Sequence, residues 1–188
     1  MLLFRAPSDQ RLRKILDAVR AEPFPYPSVG GTARDECPPG FRRDHLATDL
    51  GPDSEERFQR ARLAVQEWRP QRGAGIRVFP GDPVADAAAF VLVLPLPVAG
   101  CAVAPGRVVY VVDEADRSGF AYGTLPGHIE RGEEAFMVRR DAGRVLFEVI
   151  AFSQVVDPLA RLGGPVTRAV QVKTLKTYLR GMEAAAEG

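Results

Sequence analysis

Arg107-Val-Val-Tyr-Val-Val-Asp-Glu-Ala-Asp-Arg-Ser-Gly-Phe-Ala-Tyr-Gly-Thr-Leu125 holds two strand-like runs, residues 107–113 and 119–125, joined by a turn at Asp116-Arg-Ser-Gly119. So short a link forces antiparallel pairing, because parallel neighbours need a crossover of about a dozen residues or more. The pattern repeats downstream, where runs 134–140 and 144–153 flank Asp141-Ala-Gly143. It also repeats upstream, with runs 76–79 and 88–94 and a turn that includes Gly81-Asp82. Residues 41–50 read as one more strand. The expectation is a strongly curved antiparallel meander of six to seven strands.

Outward from this sheet the period changes to that of helices. Leu12, Ile15, Leu16 and Val19 fall at helical spacing behind Ser8, a suitable N-cap, and Pro23, Pro25 and Pro27 end the pattern. Residues 22–40 then read as a Pro- and Gly-rich connector. Asp53 with Glu56 resembles a capping box opening a helix that runs to Trp68, with Phe58, Ala61, Val65 and Trp68 on one face and Pro70 as its stop. The last element begins at Asp157-Pro158, pauses at Gly163-Gly164 and restarts at Pro165. Its expected apolar face is Val166, Ala169, Val172, Leu175, Leu179 and Met182, with Arg168, Lys173, Lys176 and Arg180 opposite. One early helix, a meander and a long final helix give an α+β fold: a curved sheet gripping a C-terminal helix. The 188 residues suit a single domain, 1–188, with residues 1–40 as an N-terminal extension to the core.

Composition narrows the functional classes. Twenty-five Lys and Arg against 24 Asp and Glu leave no net field to draw nucleic acid. Cys37 and Cys101 lack Cys-x-x-Cys spacing, which argues against zinc and suits a reducing, cytoplasmic setting. Residues 87–106 are uncharged and nearly long enough to span a bilayer, but Pro95, Pro97, Gly100 and Pro105 break any helix there, so strands are expected and no membrane span. There is no Gly-x-Gly-x-x-Gly, Gly-Lys-Ser/Thr or His-Glu-x-x-His pattern, so no cofactor or metal is expected.

The segments 107–114, 119–128 and Arg131-Gly-Glu-Glu-Ala-Phe136 together resemble the central signature of the DUF1990 family. Val29-Gly-Gly-Thr32, Trp68 with Arg72-Gly-Ala-Gly75, Ala151-Phe-Ser153 and Gly164-Pro-Val-Thr-Arg-Ala-Val-Gln171 extend the resemblance over nearly the whole chain. The chain departs from the family pattern at Ile129, where proline is expected, and at Gln154-Val-Val156. More distantly the resemblance implies the helix-grip class of START-like and Bet v 1-like proteins, which often enclose an apolar cavity. That class hosts carriers, cyclases and regulators, so the fold alone assigns no reaction.

Site candidates concentrate between Gly119 and Glu134. Alternation puts Phe120, Tyr122 and Thr124 on one strand face, where a hydroxyl pair could enter a cavity. His128 has Glu130, Glu133 and Glu134 close in sequence, which is either a proton-relay constellation or a loop-fixing hydrogen-bond cluster; the second is the plainer reading without a partner nucleophile. Gly123 is a candidate bulge or bend. Glu148 interrupts an apolar set and is expected to face water. The leading expectation is a small apolar ligand held between sheet and C-terminal helix by Phe120, Tyr122, Thr124, Phe147 and Val170. The alternatives are an enzyme of cyclase, hydratase or hydrolase type using Tyr122, His128 or Glu134, and a non-catalytic interaction module. A monomer or homodimer is expected.

Overall fold

The computed structural model describes residues 1–96 and 99–187. Strand β1 (Leu2–Leu3) precedes helix α1 (Asp9–Val19), whose Ser8 cap accepts from the Arg11 amide as the sequence indicated. A 3-10 turn at Gly31–Arg34 leads to β2 (Arg42–Pro52). Helices α2 (Glu55–Gln66) and α3 (Arg69–Gly73) follow, then β3 (Arg77–Phe79), β4 (Ala89–Pro95), β5 (Cys101–Asp113), β6 (Arg117–Thr124), β7 (Glu130–Asp141) and β8 (Arg144–Val155). The chain ends in α4 (Pro158–Leu162) and α5 (Gly164–Glu187).

All strand pairs are antiparallel, in the order β2-β8-β7-β6-β5-β4-β3, with β1 added to β5. The sheet therefore has eight strands, one more than the expected maximum. From β3 onward it is the meander that the short turns require. β2 instead lies beside the last strand, carried across the sheet by α2 and α3. The apolar run 87–106 becomes β4 and the start of β5, so the strand expected from residue 107 begins at Cys101. Pro97 lies outside the described residues. Among those described, no helix is long and apolar enough to cross a membrane.

Local chemistry corrects several boundaries. Ser54, not Asp53, caps α2, its hydroxyl accepting from the Arg57 amide at 3.2 Å. Pro70 does not end the helical region but sits in the first turn of α3, where its missing N–H is harmless. Trp68, in a left-handed conformation, turns the chain between the two helices. Phe58, Ala61, Val65 and Trp68 are all buried as expected. On α5 the expected stripe is rotated: Val166 and Ala169 are exposed, while Leu175, Tyr178, Met182 and Ala186 face the core. Arg168 points to the sheet, because Asp44 on β2 draws its guanidinium.

The core divides by sheet face. On the inner face an aromatic cluster links Trp68 to Phe90 and Phe120 at centroid distances of 4.7 and 4.8 Å, and Phe136 to Phe120 and Tyr178 at 5.4 Å each. The C-terminal half of α5 closes over this cluster beside α2 and α3. On the outer face, Leu12 and Leu16 of α1 pack on Val91, Val93 and Val103.

The N-terminal segment is bound to that outer face by Glu133. Its carboxylate accepts from the Tyr26 hydroxyl (3.1 Å), the Gly30 and Thr32 amides (2.7 and 2.9 Å) and the Thr32 hydroxyl (2.5 Å). Gly123 serves the same docking rather than a bulge: a Cβ there would lie 2.1 Å from the Tyr26 hydroxyl oxygen and 2.8 Å from Phe24. The register shifts that do bend the sheet fall between Val108 and Tyr110 and between Asp49 and Gly51. Glu148 is also on the outer face but is buried, not solvated. Arg139 and His45 cover it and hold its carboxyl below the usual range against the opposing effect of burial.

Candidate functional site

Hairpin register builds the site. Tyr122 on β6 lies opposite Glu134 on β7, Glu134 opposite Ala151 on β8, and Ala151 opposite Asp44 on β2. One cross-strand row on the inner face thus presents a phenol and two carboxyls. Two and four residues earlier on β7, Gly132 and Glu130 share that face by strand alternation. The Gly132 amide donates to the Thr124 hydroxyl at 3.0 Å, which fixes that side chain beside the row.

Over these residues stands the N-terminal half of α5, which reaches them through the side chains of Arg168 and Gln171. Sheet and helix enclose a cavity of about 400 Å³. Leu92, Leu94 and Ala104 form its apolar wall from β4 and β5, and Val170, Thr174 and Leu175 form its roof. The space persists at this end because the aromatic rings that fill the sheet–helix gap lie at the other, under Trp68 and Met182.

The polar groups are ordered by hydrogen bonds. The Tyr122 hydroxyl donates to Glu134 Oε2 at 2.5 Å. Gln171 on α5 donates its amide to Glu130 Oε1 at 2.7 Å, and Ser153 also bonds to Glu130. Arg168 clasps both oxygens of Asp44, at 2.5 and 2.8 Å. His128 Nδ1 accepts the Glu130 amide at 2.9 Å, which leaves the ring proton on Nε2.

Burial shifts these groups strongly. It pushes the Glu134 carboxyl up to about 7, with Glu130 and Asp44 adding repulsion and the Tyr122 bond opposing. The Glu130 carboxyl is raised for the same first reason, and the Tyr122 and Tyr178 phenols are driven well above their ordinary range. His128 goes the other way: burial and the nearby Met1 ammonium hold its imidazole down at about 3, so it is neutral at physiological pH. Glu134 is the group poised to exchange a proton near neutrality.

Of the sequence candidates, Tyr122, Thr124, His128, Glu134 and Val170 all line the cavity. Phe120 and Phe147 do not; both are fully buried in the packed aromatic core. The Glu133-Glu134 pair splits between faces, Glu133 outward to the N-terminal segment and Glu134 inward. His128 is a loop-fixing acceptor and a cavity residue at once. Asp44, Glu130, Gln171 and Tyr178 were not singled out as cavity residues from the sequence. A strand period of two would have placed Glu130 with Glu134, whereas Asp44, Gln171 and Tyr178 come from distant elements. Among the described residues no group of three or more His, Cys, Asp or Glu could hold a metal ion.

Residues 25–181 match the DUF1990 family, described as a domain of unknown function. A UPF0548 protein from Dictyostelium discoideum is 31% identical over 196 residues, covering 92% of this chain and 90% of its own length. A UPF0548 protein from Deinococcus radiodurans is 48% identical over 81 residues, which span 43% of this chain and 41% of that protein. Among solved structures, the di-domain ARO/CYC protein StfQ from the steffimycin biosynthetic pathway superposes with a TM-score of 0.55 at 11% identity, over 78% of this chain and 51% of that one. At that identity the likeness is one of fold.

Proposed function

The chain belongs to the DUF1990 family, and from that premise we propose that it binds a small, largely apolar molecule between the curved sheet and α5. The observation that carries this reading is the cavity of about 400 Å³, within the roughly 300–1,000 Å³ range of small-molecule sites, with aliphatic walls and polar groups gathered at one place. Removing ligand hydrocarbon from water would supply most of the affinity, and the polar cluster would set orientation. Tyr122, Thr124, Glu134 and Val170 are the proposed contacts, with His128 as a neutral wall residue.

The test uses the uncharged fluorescent probe N-phenyl-1-naphthylamine and native mass spectrometry of protein purified from cells. Saturable probe binding, weakened at least tenfold by Val170→Trp with an unchanged melting temperature, supports the reading. Absence of probe binding, or binding that Val170→Trp leaves intact, overturns it.

A second reading rests on the Tyr122–Glu134 pair. A carboxyl near pH 7 beside a phenol inside an apolar cavity is a competent proton donor and acceptor, so the ligand would be a substrate for proton-transfer chemistry. In that case Glu134→Gln keeps binding and stops conversion of the bound molecule, which mass spectrometry of the ligand would follow.

A further inference from the structure

Within the cavity, hydrogen-bond acceptors outnumber free donors. Glu130, Glu134 and Asp44 bring three carboxyls to its wall. The cationic partner of Asp44, Arg168, turns its Nη1 and Nη2 donors to that residue, and His128 is neutral. Gln171 is committed to Glu130, and Tyr122 to Glu134.

Three lining groups keep a donor to spare: Thr124, whose hydroxyl accepts from Gly132, His128, whose ring proton is on Nε2, and Tyr178. Tyr178, on the roof helix, is only 3% exposed and lines the cavity, and its hydroxyl makes no hydrogen bond among the described residues and is open to the cavity. A buried phenol ordinarily finds a partner, because leaving it unpaired forfeits the solvation lost on burial. Its ring is held edge-on to Phe136, and the charges of Glu134 and Glu130 act on the phenol, so all three groups border one space.

We infer that the group which completes this cluster is a protonated amine, and that the ligand is an apolar molecule ending in one. This rests on the reading of the cavity as a binding site. An ammonium brings several N–H donors to the oxygens of Glu130, Glu134 and Tyr178 and supplies the positive charge that the carboxyls lack. The faces of Tyr122 and Tyr178 suit a cation as well. A fatty-acid carboxylate fails on both grounds, since it adds acceptors where donors are needed and negative charge beside negative charge. An alcohol supplies a single donor and no charge.

Charge pairing couples the preference to pH. An aliphatic amine stays cationic from pH 5.5 to 8, whereas the ionised fraction of a carboxyl at about 7 rises roughly thirtyfold over that interval. The charged or titratable groups facing it are Glu130 and Asp44 from the sheet, Tyr122, His128, and Arg168 and Tyr178 from α5.

The experiment is competition against bound N-phenyl-1-naphthylamine by decylamine, 1-decanol and decanoate, whose chains are matched. Expected at pH 8 is displacement by decylamine at least tenfold more effective than by either of the others. That margin, read as the ratio of decylamine to decanol competition within each protein, shrinks at pH 5.5 and disappears in Glu134→Gln. Glu130→Gln provides a second, independent loss of preference should Glu134→Gln fold poorly. Equal or stronger competition by decanol or decanoate, or an amine preference untouched by both substitutions, overturns the inference and leaves apolar binding standing. No probe binding and no competition by any of the three removes the binding reading and this inference together.

Discussion

Replacing Glu134 with Gln should make the protein more resistant to unfolding at alkaline pH than at acid pH, relative to the unaltered chain. Glu134 ionises at about 7 in the folded protein against an ordinary 4.5. Well below pH 4.5 both folded and unfolded chains hold the proton and the group contributes no pH dependence. Between 4.5 and 7 the unfolded chain ionises first, so stability falls as pH rises, and above 7 the loss is complete. Two and a half tenfold steps at about 1.4 kcal/mol each give a penalty of about 3 kcal/mol at pH 8. For a domain of this size that is roughly 6–12 °C in melting temperature. Gln keeps an acceptor oxygen for the Tyr122 hydroxyl and carries no charge at any pH. Urea unfolding of both proteins, followed by circular dichroism from pH 4 to 8, isolates the effect, because groups common to the two chains cancel in the difference. The difference should grow by about 3 kcal/mol in favour of Glu134→Gln across this range. A difference level to within about 0.5 kcal/mol would mean that Glu134 is solvated, and the electrostatic account of the cavity would fail.

Glu133→Gln should act in the opposite sense. Whichever way the amide turns, its NH₂ meets two of the four donors around the carboxylate, so a loss of about 2–4 kcal/mol and faster hydrogen exchange at Gly30 and Thr32 are expected; a change under about 0.5 kcal/mol refutes the clamp. Gly123→Ala should cost about 1–3 kcal/mol by overpacking against Tyr26, and much less in a Tyr26→Ala background; additivity of the two changes in a double-mutant cycle would refute the close approach. The His128 ring should show no titration between pH 5 and 8 by NMR, and an inflection near 6.5 would place it in water. Trp68→Ala should destabilise by about 3–5 kcal/mol, since the ring bridges Phe90 and Phe120 and its indole N–H reaches the Asp82 carbonyl.

Local rules carried the fold far. Short turns at Asp116-Arg-Ser-Gly119 and Asp141-Ala-Gly143 leave antiparallel pairing as the only option, and period-two alternation puts Tyr122 and Thr124 on one face. Alternation also separates Glu133 from Glu134, although nothing within the hairpin says which face meets the helix. The errors arose where a long-range contact overrode a local pattern. The α5 stripe rotates so that Arg168 can clasp Asp44, 124 residues away. Gly123 reads as a bend until Tyr26 and Phe24 are seen to need its missing side chain.

The sequence by itself determined the α+β class, the meander, the final helix and the shared strand face of Tyr122 and Thr124, because each follows from the steric and hydrogen-bonding rules of adjacent residues. Only the tertiary structure decided that Phe120 and Phe147 fill the core while Glu130, Glu134 and Tyr178 border a cavity. That outcome depends on where the helix roof stands off the sheet. Its position is fixed by packing against α2, α3 and β2, elements on the far side of the meander in sequence, whose joint geometry no local pattern encodes.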